Sequence, residues 1–519
     1  MTEQQHNQKL EERLEQNNGS KKNWNVVIDP IYSSRDLSGI HYSKKEDKVI
    51  IKKIFSQPKN TGTRRHDVDC YELSLGYSGI LDEKGNINRN VLNKYKEEYQ
   101  SNGKGTIKLV HPHYEVMIPP IKSVNFADPK LFEQNKKYLF SCIDVAYEFD
   151  ADIIYHPGRV EDSSSDDEKL KHFFTSIKVL QEAIFYLKKK GRIHSNGNQP
   201  KLLIENQGFD PKFTYFFSMI ESQTDNIFND NVRLTRIKFY AKEFYEQFLK
   251  DKRIGHTREK VVDISQYLGQ ITDTSHLISM TKNGECFRRA IIQLEDMDID
   301  LENQLKLRDI APILAMHISG NKFKLTDNYL HTKELEEKKH LSNSIGLGYD
   351  THSPINVFLE EHQEYIQGYN ELFKRGLINT YRRHKTLRVH LETHQRSVKL
   401  GIKKQLEISP DGYKSAKEMY ENIEYIKKMI NKIVKTESYE LKDKSLKKLN
   451  TLYNQKIVTD DKENFERKRD EDFTFFQKGK KAIINGTKDT ISSVKHNVRK
   501  VHSTARNTLT RLSLLIQNY

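Results

Sequence analysis

The chain repeats one pattern along most of its length: a short β-rich run followed by a longer stretch with the spacing of an amphipathic helix. Eight such runs lie at residues 38–43, 68–75, 106–113, 152–156, 201–206, 268–273, 313–319 and 387–392. The clearest helical patterns lie at 90–99, 132–148, 168–190, 235–250 and 357–376. Strands separated by helices of this length indicate βαβ units and a parallel sheet. Eight units predict an α/β fold, the (β/α)8 barrel, with a doubly wound open sheet as the alternative.

Histidine and carboxylate residues fall at or near the ends of these runs from the third run onward. They are His113, His156, Glu205, Asp273, His276, His317, Asp350, His352 and Glu392. The carboxyl ends of all strands in a parallel barrel meet at one rim, so residues distant in sequence lie together there. Imidazole and carboxylate groups together suit zinc, manganese or iron. The set predicts a metal centre at this rim, although a single residue of this kind is more often structural.

Three further histidines lie close to these motifs without fitting a role as ligands. They are His111, His390 and His394. Each is interpreted either as a hydrogen-bond partner of a ligand or as a residue without a part in the site.

The chain changes character after about residue 395. Residues Met419, Ile423, Ile426, Ile430 and Ile433 are spaced four, three, four and three apart, which is a heptad stripe. The stripe favours packing on a neighbouring helix over binding of a partner. We therefore expect a disordered leader at 1–23, a catalytic barrel at 24–395, a helical extension at 396–472 and a basic helical tail at 473–519.

Positive charge is concentrated in the tail. The whole chain has a formal net charge of +14, and residues 473–519 contain nine Lys or Arg against one Asp, a net +8. Such a segment is typical of binding to nucleic acid phosphates or anionic lipid, and a solvated helix is the alternative. A basic balance over the whole chain favours polyanionic partners but is equally compatible with solubility alone.

The cysteine content and the apolar pattern indicate which cellular compartment to expect. The three cysteines, Cys70, Cys142 and Cys286, form no CxxC pair, so zinc fingers and a disulfide framework are not expected. The N-terminus is polar and lacks an apolar signal region, and no run of about 18 apolar residues predicts a transmembrane helix. We expect an intracellular protein of a reducing compartment, the cytoplasm or the nucleus, that is not secreted.

The ordered motifs resemble those of the endonuclease IV family of apurinic/apyrimidinic endonucleases, within the xylose isomerase-like barrel superfamily. The resemblance covers about residues 38–393 and rests on seven segments in the family's order. They are Pro112-His113, His156-Pro157-Gly158, Glu205-Asn206, Asp273-Thr274-Ser275-His276, His317, Asp350-Thr351-His352 and Glu392-Thr393.

This resemblance implies a trinuclear zinc phosphodiesterase that hydrolyses DNA on the 5′ side of abasic sites, with manganese as a possible substitute. It implies a first metal on His113, His156 and Glu205. Glu205 would bridge to a second metal, held also by Asp273, His317 and Glu392. His276, Asp350 and His352 would hold the third. Glu205 and Glu392 are the expected catalytic residues, and abasic duplex DNA is the expected partner.

Two departures affect the expected DNA-contacting loops. The Asp-x-His motif is followed by Ser353-Pro354-Ile355-Asn356 instead of the family's glycine-rich stretch, and the loop after the second strand reads Gly76-Tyr77-Ser78-Gly79. The alternative is a metal-dependent sugar isomerase or epimerase of the same superfamily, in which Glu205 and Glu392 exchange a proton beside one metal. A barrel retained as a non-enzymatic scaffold is the third hypothesis.

Overall fold

We describe the fold from a computed structural model. The described residues are 26–30, 40–43, 48–51, 70–75, 78–82, 84–101, 106–112, 124–191, 200–208, 213–217, 266–281, 283–300, 305–323, 349–382, 386–393, 397–400, 404–407, 412–413 and 416–440. The predictions for the leader 1–23, the helix 235–250, the tail 473–519 and residue His113 lie outside them. The chain divides into two compact units, Met1–Lys435 and Thr436–Tyr519, and almost all described residues belong to the first.

Eight parallel strands form the central sheet. They are β1 (Val26–Pro30), β4 (Cys70–Ser74), β5 (Thr106–His111), β6 (Asp152–Tyr155), β8 (Leu202–Glu205), β10 (Leu268–Asp273), β13 (Ile313–Ile318) and β16 (Leu387–Leu391). Their order is β1-β16-β13-β10-β8-β6-β5-β4, with every hydrogen-bonded pair parallel. Because β1 and β4 at the two ends of this order lie beside each other, the sheet closes on itself. The α/β barrel prediction is confirmed.

The first barrel strand differs from the prediction. Residues Ile40–Ser43 form β2, which pairs antiparallel with β3 (Lys48–Ile51) outside the barrel sheet. The barrel position belongs instead to β1, which pairs with β16 near the other end of the domain. The prediction was wrong because two short β-rich runs separated by four residues pair most easily with each other, as a hairpin.

Short antiparallel strand pairs lie outside the barrel sheet. One consists of β7 (Arg159–Glu161) and β9 (Phe213–Tyr215), and another of β14 (Gly320–Lys322) and β15 (Tyr349–Ser353). The remaining pairs are β11 (Asp298–Asp300) with β12 (Leu305–Lys306), and β17 (Ser397–Leu400) with β18 (Lys404–Glu407).

Nine helices accompany the strands in the described part of the chain. They are α1 (Arg89–Ser101), α2 (Phe132–Phe149), α3 (Asp166–Lys190), α4 (Thr274–Ile278), α5 (Gly284–Asp296), α6 (Leu307–Ile310), α7 (Ile355–Glu361), α8 (Ile366–Arg382) and α9 (Ala416–Glu440). The predictions at 90–99, 132–148 and 168–190 match α1 to α3. The stretch at 357–376 divides into α7 and α8, because the backbone at His362 leaves helical geometry and Tyr365 enters the core.

Helix α3 shows how local sequence fixes an element. Ser165 accepts a hydrogen bond from the Glu168 amide at its N-terminus, and Gly191 ends it in the left-handed conformation. Three acidic residues occupy its first turn and three lysines its last, which complements the helix dipole. The helix therefore begins and ends where its sequence requires.

The core has two parts. A large cluster lies between the sheet and its helices, and a small separate cluster consists of Leu109, Ile154, Leu203, Ile271, Leu314 and Ala315. The small cluster comes from five adjacent barrel strands, as expected for the packed interior of a barrel.

The C-terminal extension begins with the hairpin β17–β18 and continues as α9. Met419, Ile423, Ile426 and Ile430 are buried in the large core cluster, and Ile433 is half-buried against it. This burial supports packing within the chain as the role of the heptad stripe. None of the helices in the described stretches is both long and apolar enough to span a membrane.

Candidate metal centre

The apolar cluster inside the barrel locates the candidate ligands. Side chains two residues apart on a strand point to the same face, so a residue two positions beyond a cluster member faces the same interior. Five such pairs occur: Leu109 and His111, Ile154 and His156, Leu203 and Glu205, Ile271 and Asp273, and Ala315 and His317. The polar member always lies nearer the carboxyl end of its strand. These five polar side chains therefore converge at that end of the barrel.

The first group consists of His111, His156 and Glu205, whose potential ligand atoms lie within 4.8 Å of one another. His156 Nε2 is 3.0 Å from Glu205 Oε2 and 2.8 Å from His111 Nε2. The resemblance assigned this position to His113, which lies outside the described residues. His111, which we did not expect among the ligands, takes the place beside His156.

The middle group consists of Glu205, Asp273, His317 and Glu392, again with ligand atoms within 4.8 Å of one another. His317 Nδ1 lies 3.0 Å from Glu205 Oε1 and 3.0 Å from Glu392 Oε2. These four residues are the set that the resemblance implied for the second metal.

The third group consists of Asp273, His276 and His352. His276 Nδ1 lies 3.3 Å from Asp273 Oδ2. Asp350 is adjacent, since its carboxylate oxygens lie 3.5 Å from His276 Nε2 and 3.1 Å from His352 Nε2. The structure therefore brings His276, Asp350 and His352 together, as the resemblance implied, and adds Asp273 beside them. Because Glu205 belongs to the first two groups and Asp273 to the last two, the three groups form one continuous row.

Asp273 is held by the local sequence. Its carboxylate accepts hydrogen bonds from the amides of Ser275 and His276 and thereby starts the short helix α4, which carries His276. Asn206 joins it to the end of β8: the Asp273 amide donates to Asn206 Oδ1, and Asn206 Nδ2 donates to the Asp273 carbonyl. The Asn206 carbonyl also accepts from His276 Nδ1 at 2.8 Å. Residues of the Glu-Asn and Asp-Thr-Ser-His motifs thus fix one another.

The Asp-Thr-His motif is shaped by the backbone. His352 has a φ of 47°, a left-handed conformation that costs a non-glycine residue energy and is frequent at functional sites. Asp350 is held by a hydrogen bond from the Ser275 hydroxyl, and the Thr351 amide donates to Asn321 Oδ1. These contacts bring strand β15, which is not part of the barrel sheet, to the site.

The turn after β6 explains the His-Pro-Gly sequence. Gly158 has a φ of 96°, and a Cβ there would lie 2.6 Å from Asn125 Oδ1 and 2.8 Å from the Ala127 Cβ. Only glycine fits this close approach without a shift. The turn directs the chain away from the rim immediately beyond His156.

One buried residue near the groups, Glu72, was missed by the analysis of the sequence, and a second, His390, was named there without a role as a ligand. Glu72 on β4 is 2% exposed, and His390 on β16 is fully buried beside His317. Glu72 Oε1 lies 2.7 Å from His111 Nδ1, and Glu72 Oε2 lies 3.0 Å from His317 Nε2. The two-residue alternation of side chains along the strands could have identified Glu72 and His111. Both lie within predicted strands, but neither is the last residue of its strand.

Neighbouring opposite charges shift the pKa values of buried side chains in the three groups. Burial alone raises the pKa of Glu205, but His317 and His156 outweigh it and hold that pKa well below its usual range. Burial lowers the pKa of His352, but Asp350 and then Glu392 outweigh it and raise that pKa to about 10. The lowered pKa of Glu205 and the raised pKa values of His317 and His352 indicate that these buried groups favour opposite charges.

The carboxylate Asp273 behaves differently. Burial raises its pKa well above the ordinary value, His276 opposes this rise, and the neighbouring carboxylate of Glu392 adds to it. Burial and the neighbouring carboxylate of Glu392 therefore make the ionised form of Asp273 costly unless a cation lies nearby.

The hydrogen bonding of the buried carboxylates also fits a bound metal. Three buried carboxylate oxygens within the groups, Glu205 Oε2, Asp273 Oδ2 and Glu392 Oε2, accept no hydrogen bond. A histidine nitrogen nevertheless lies 3.0 to 3.3 Å from each of them, without hydrogen-bond geometry. Buried carboxylate oxygens that accept no hydrogen bond, close to imidazole groups, provide the donor types that divalent transition metals bind. The residues present therefore fit such ions, without fixing their identity or number.

Fold and site together define an α/β barrel protein with a candidate metal centre at the carboxyl ends of its strands. No family model matches the chain, and no curated protein matches it either. Several solved structures do, and their titles describe epimerases and proteins with xylose isomerase domains.

Three of these structures show the level of similarity. A D-tagatose 3-epimerase-like protein is 13% identical, over 72% of this chain and 91% of its own, with a TM-score of 0.40. A xylose isomerase domain protein from Planctomyces limnophilus is 10% identical, over 80% of this chain and 100% of its own, with a TM-score of 0.39. D-allulose 3-epimerase from Methylomonas sp. is 10% identical, over 71% and 84%, with a TM-score of 0.33. Values at this level carry no argument about activity, and the barrel is established by the strand order together with the proximity of β1 and β4.

Proposed function

We propose that the protein is a multinuclear metal-dependent phosphodiesterase that acts on nucleic acid, with the phosphodiester bond 5′ to an abasic site in DNA as its first candidate substrate. The observation that carries the proposal is the continuous row of three groups, in which Glu205 and Asp273 are each shared by two neighbours. Shared carboxylates of this kind hold cations a few ångströms apart, which suits the several oxygens of a phosphate.

The residues of the row have separate tasks in this proposal. Bound divalent cations supply positive charge to the phosphate oxygens and increase the acidity of water. Glu205 joins the first and middle groups, and Asp273 joins the middle and third groups. Asn206 fixes the distance between them through its paired hydrogen bonds with Asp273. The partly exposed Asp350 marks the solvent side of the row, where a phosphate would enter.

The positive charge of the chain supports nucleic acid as the partner. The chain carries a net +14, of which residues 473–519 contribute +8. In this proposal the tail binds backbone phosphates, which would make affinity fall as the salt concentration rises. An abasic nucleotide is the favoured target because its extrusion from the duplex costs least.

Incision of a labelled duplex with one abasic site tests the proposal, with added zinc or manganese and with Glu205→Gln as the variant. We expect wild-type protein to cut on the 5′ side of the lesion and the variant to lose at least about a thousandfold in rate, since the shared carboxylate is removed. The matched control is Glu295→Gln, which makes the same change at a buried carboxylate of the opposite barrel end. Wild-type turnover in Glu205→Gln, or no cleavage by wild-type protein with metal bound, would contradict the proposal.

A sugar isomerase or epimerase is the second candidate. The observation that favours it is that the middle group alone forms a complete mononuclear site, with Glu205 and Glu392 both against His317. In that reaction these two carboxylates would exchange a proton at carbon beside one metal.

The third group discriminates between the two candidates. Replacement of His276 and His352 by alanine removes two of its three members and leaves the middle group complete. Loss of phosphodiesterase activity with this double variant supports the first candidate. Conversion of a free ketose by both the double variant and the wild-type protein would support the second.

A further inference from the structure

We propose that Glu72 is a positioning residue that links the first and middle groups, by accepting one hydrogen bond from His111 and one from His317. The inference rests on the metal centre of the proposed function and holds for either reaction. It assigns a role to a side chain that is neither a member of any of the three groups nor near the end of its strand.

The first step is the placement of Glu72. The residue lies in the middle of β4, and its side chain is 2% exposed. Strands β4 and β13 are separated by β1 and β16 around the closed sheet, so contact with His317 crosses the barrel interior. Contact with His111 is local, because β4 pairs directly with β5. One carboxylate thus connects histidines on two separate strands.

The second step concerns which histidine nitrogens remain for a metal. A carboxylate only accepts hydrogen bonds, so the two nitrogens that face Glu72, His111 Nδ1 at 2.7 Å and His317 Nε2 at 3.0 Å, carry hydrogens. The opposite nitrogens are then free of hydrogen in the neutral rings. His111 Nε2 faces His156, and His317 Nδ1 faces Glu205 and Glu392. Glu72 therefore selects the nitrogen that each ring presents to its group.

The third step is the consequence of sharing one residue. A hydrogen-bond acceptor behind a metal-binding histidine fixes its tautomer and orientation, and its loss typically weakens metal binding by about 10- to 100-fold. Because Glu72 serves two rings, its replacement affects two groups together. The third group contains neither His111 nor His317 and stays unchanged.

Glutamine is the informative replacement. Its side chain has nearly the same shape but offers one acceptor and one donor, so it accepts from only one of the two histidines and presents an N–H to the other. Glu295→Gln is the matched control, since Glu295 is also 2% exposed and its carboxylate binds Asn379 and the Ile313 amide instead of the metal groups.

The test is a titration of the metal-depleted full chain with Zn²⁺ in competition with a chromophoric chelator, repeated with Co²⁺ to record its absorption spectrum. We expect Glu72→Gln to bind two of its metal equivalents about 10- to 100-fold more weakly and to change the Co²⁺ spectrum. Glu295→Gln should match the wild type in both. Unchanged affinity and spectrum in Glu72→Gln would overturn the proposal.

A second measurement needs no variant at position 72. The ¹⁵N shifts of the zinc-loaded wild-type protein, labelled at histidine, report the protonated nitrogen of each ring. We expect Nδ1–H for His111 and Nε2–H for His317. The opposite tautomer at either ring would overturn the proposal, even if Glu72→Gln does not fold.

The two hypotheses fail in different ways. Metal binding by wild type and its loss in Glu72→Gln, without cleavage of any nucleic acid, would support Glu72 and reject the phosphodiesterase. Cleavage by wild type with normal metal binding in Glu72→Gln would support the phosphodiesterase and reject the role of Glu72. A wild-type chain that binds no metal would reject both.

Discussion

The two ends of the barrel both bury charged side chains but satisfy them differently. At the amino ends of the strands, Asp152 accepts hydrogen bonds from the Lys201 amide at 2.8 Å and from Arg388 Nη1 at 2.6 Å. Glu295 accepts from the Ile313 amide and, with both oxygens, from Asn379. Every carboxylate oxygen of these two residues has a donor from the protein.

At the carboxyl ends, one oxygen each of Glu205, Asp273 and Glu392 accepts no hydrogen bond in the described part of the chain. Unpaired buried carboxylate oxygens are costly, so they persist where a ligand completes them. Burial of charge alone therefore does not identify a site. At the amino end the protein supplies the donors for Asp152 and Glu295, whereas at the carboxyl end it leaves carboxylate oxygens that fit a cation.

Metal removal should produce the largest difference between the two ends. A chelator leaves the carboxylates of the middle group to repel one another, so we expect a marked loss of stability, about 4 kcal/mol if metals are normally present at a thousand times their dissociation constants. Thermal unfolding with and without chelator measures the effect. In Glu205→Gln the same treatment should change the melting temperature less, and equal sensitivity in both proteins would contradict a stabilising metal at this end.

Asp152→Asn should produce the next effect, at the amino end. The amide still accepts from the Lys201 backbone but leaves the half-buried Arg388 guanidinium without its counter-charge, so we expect a loss of about 3 kcal/mol. Urea denaturation at neutral pH measures it. Metal stoichiometry should remain that of the wild type, and a loss of bound metal would show that the two ends are not independent.

The smallest effect should be the pH dependence contributed by Glu295. Burial raises its pKa in the folded chain, although Asn379 opposes the rise. Folding therefore favours the protonated form of Glu295. The contribution of this residue to stability thus increases as pH falls from its pKa in the folded chain to its pKa in the unfolded chain. We expect the stability of Glu295→Gln relative to wild type to increase as pH rises above about 4.5. A difference that is constant between pH 4.5 and 8, measured by urea denaturation, would contradict this sign.

The sequence predicted much of the barrel because its strands and helices have different hydrophobic periods. Seven of the eight strand positions correspond to barrel strands, and the exception is the hairpin β2–β3, which periodicity cannot distinguish from a barrel strand. The break between α7 and α8 was also missed, since the hydrophobic spacing continues across it. It depends on Tyr365 entering the core, which is a tertiary contact.

The residue types at the strand ends were enough to predict a candidate metal centre at the carboxyl rim. Parallel strands must end at one rim, and carboxylate with imidazole is a metal donor set wherever it converges. Tertiary structure alone decided which histidine stands beside His156, and that Asp273 is shared by two groups. It also decided that Glu72 reaches His317 across the interior. Barrel closure sets those distances, and a one-dimensional pattern contains no information about which strands face each other.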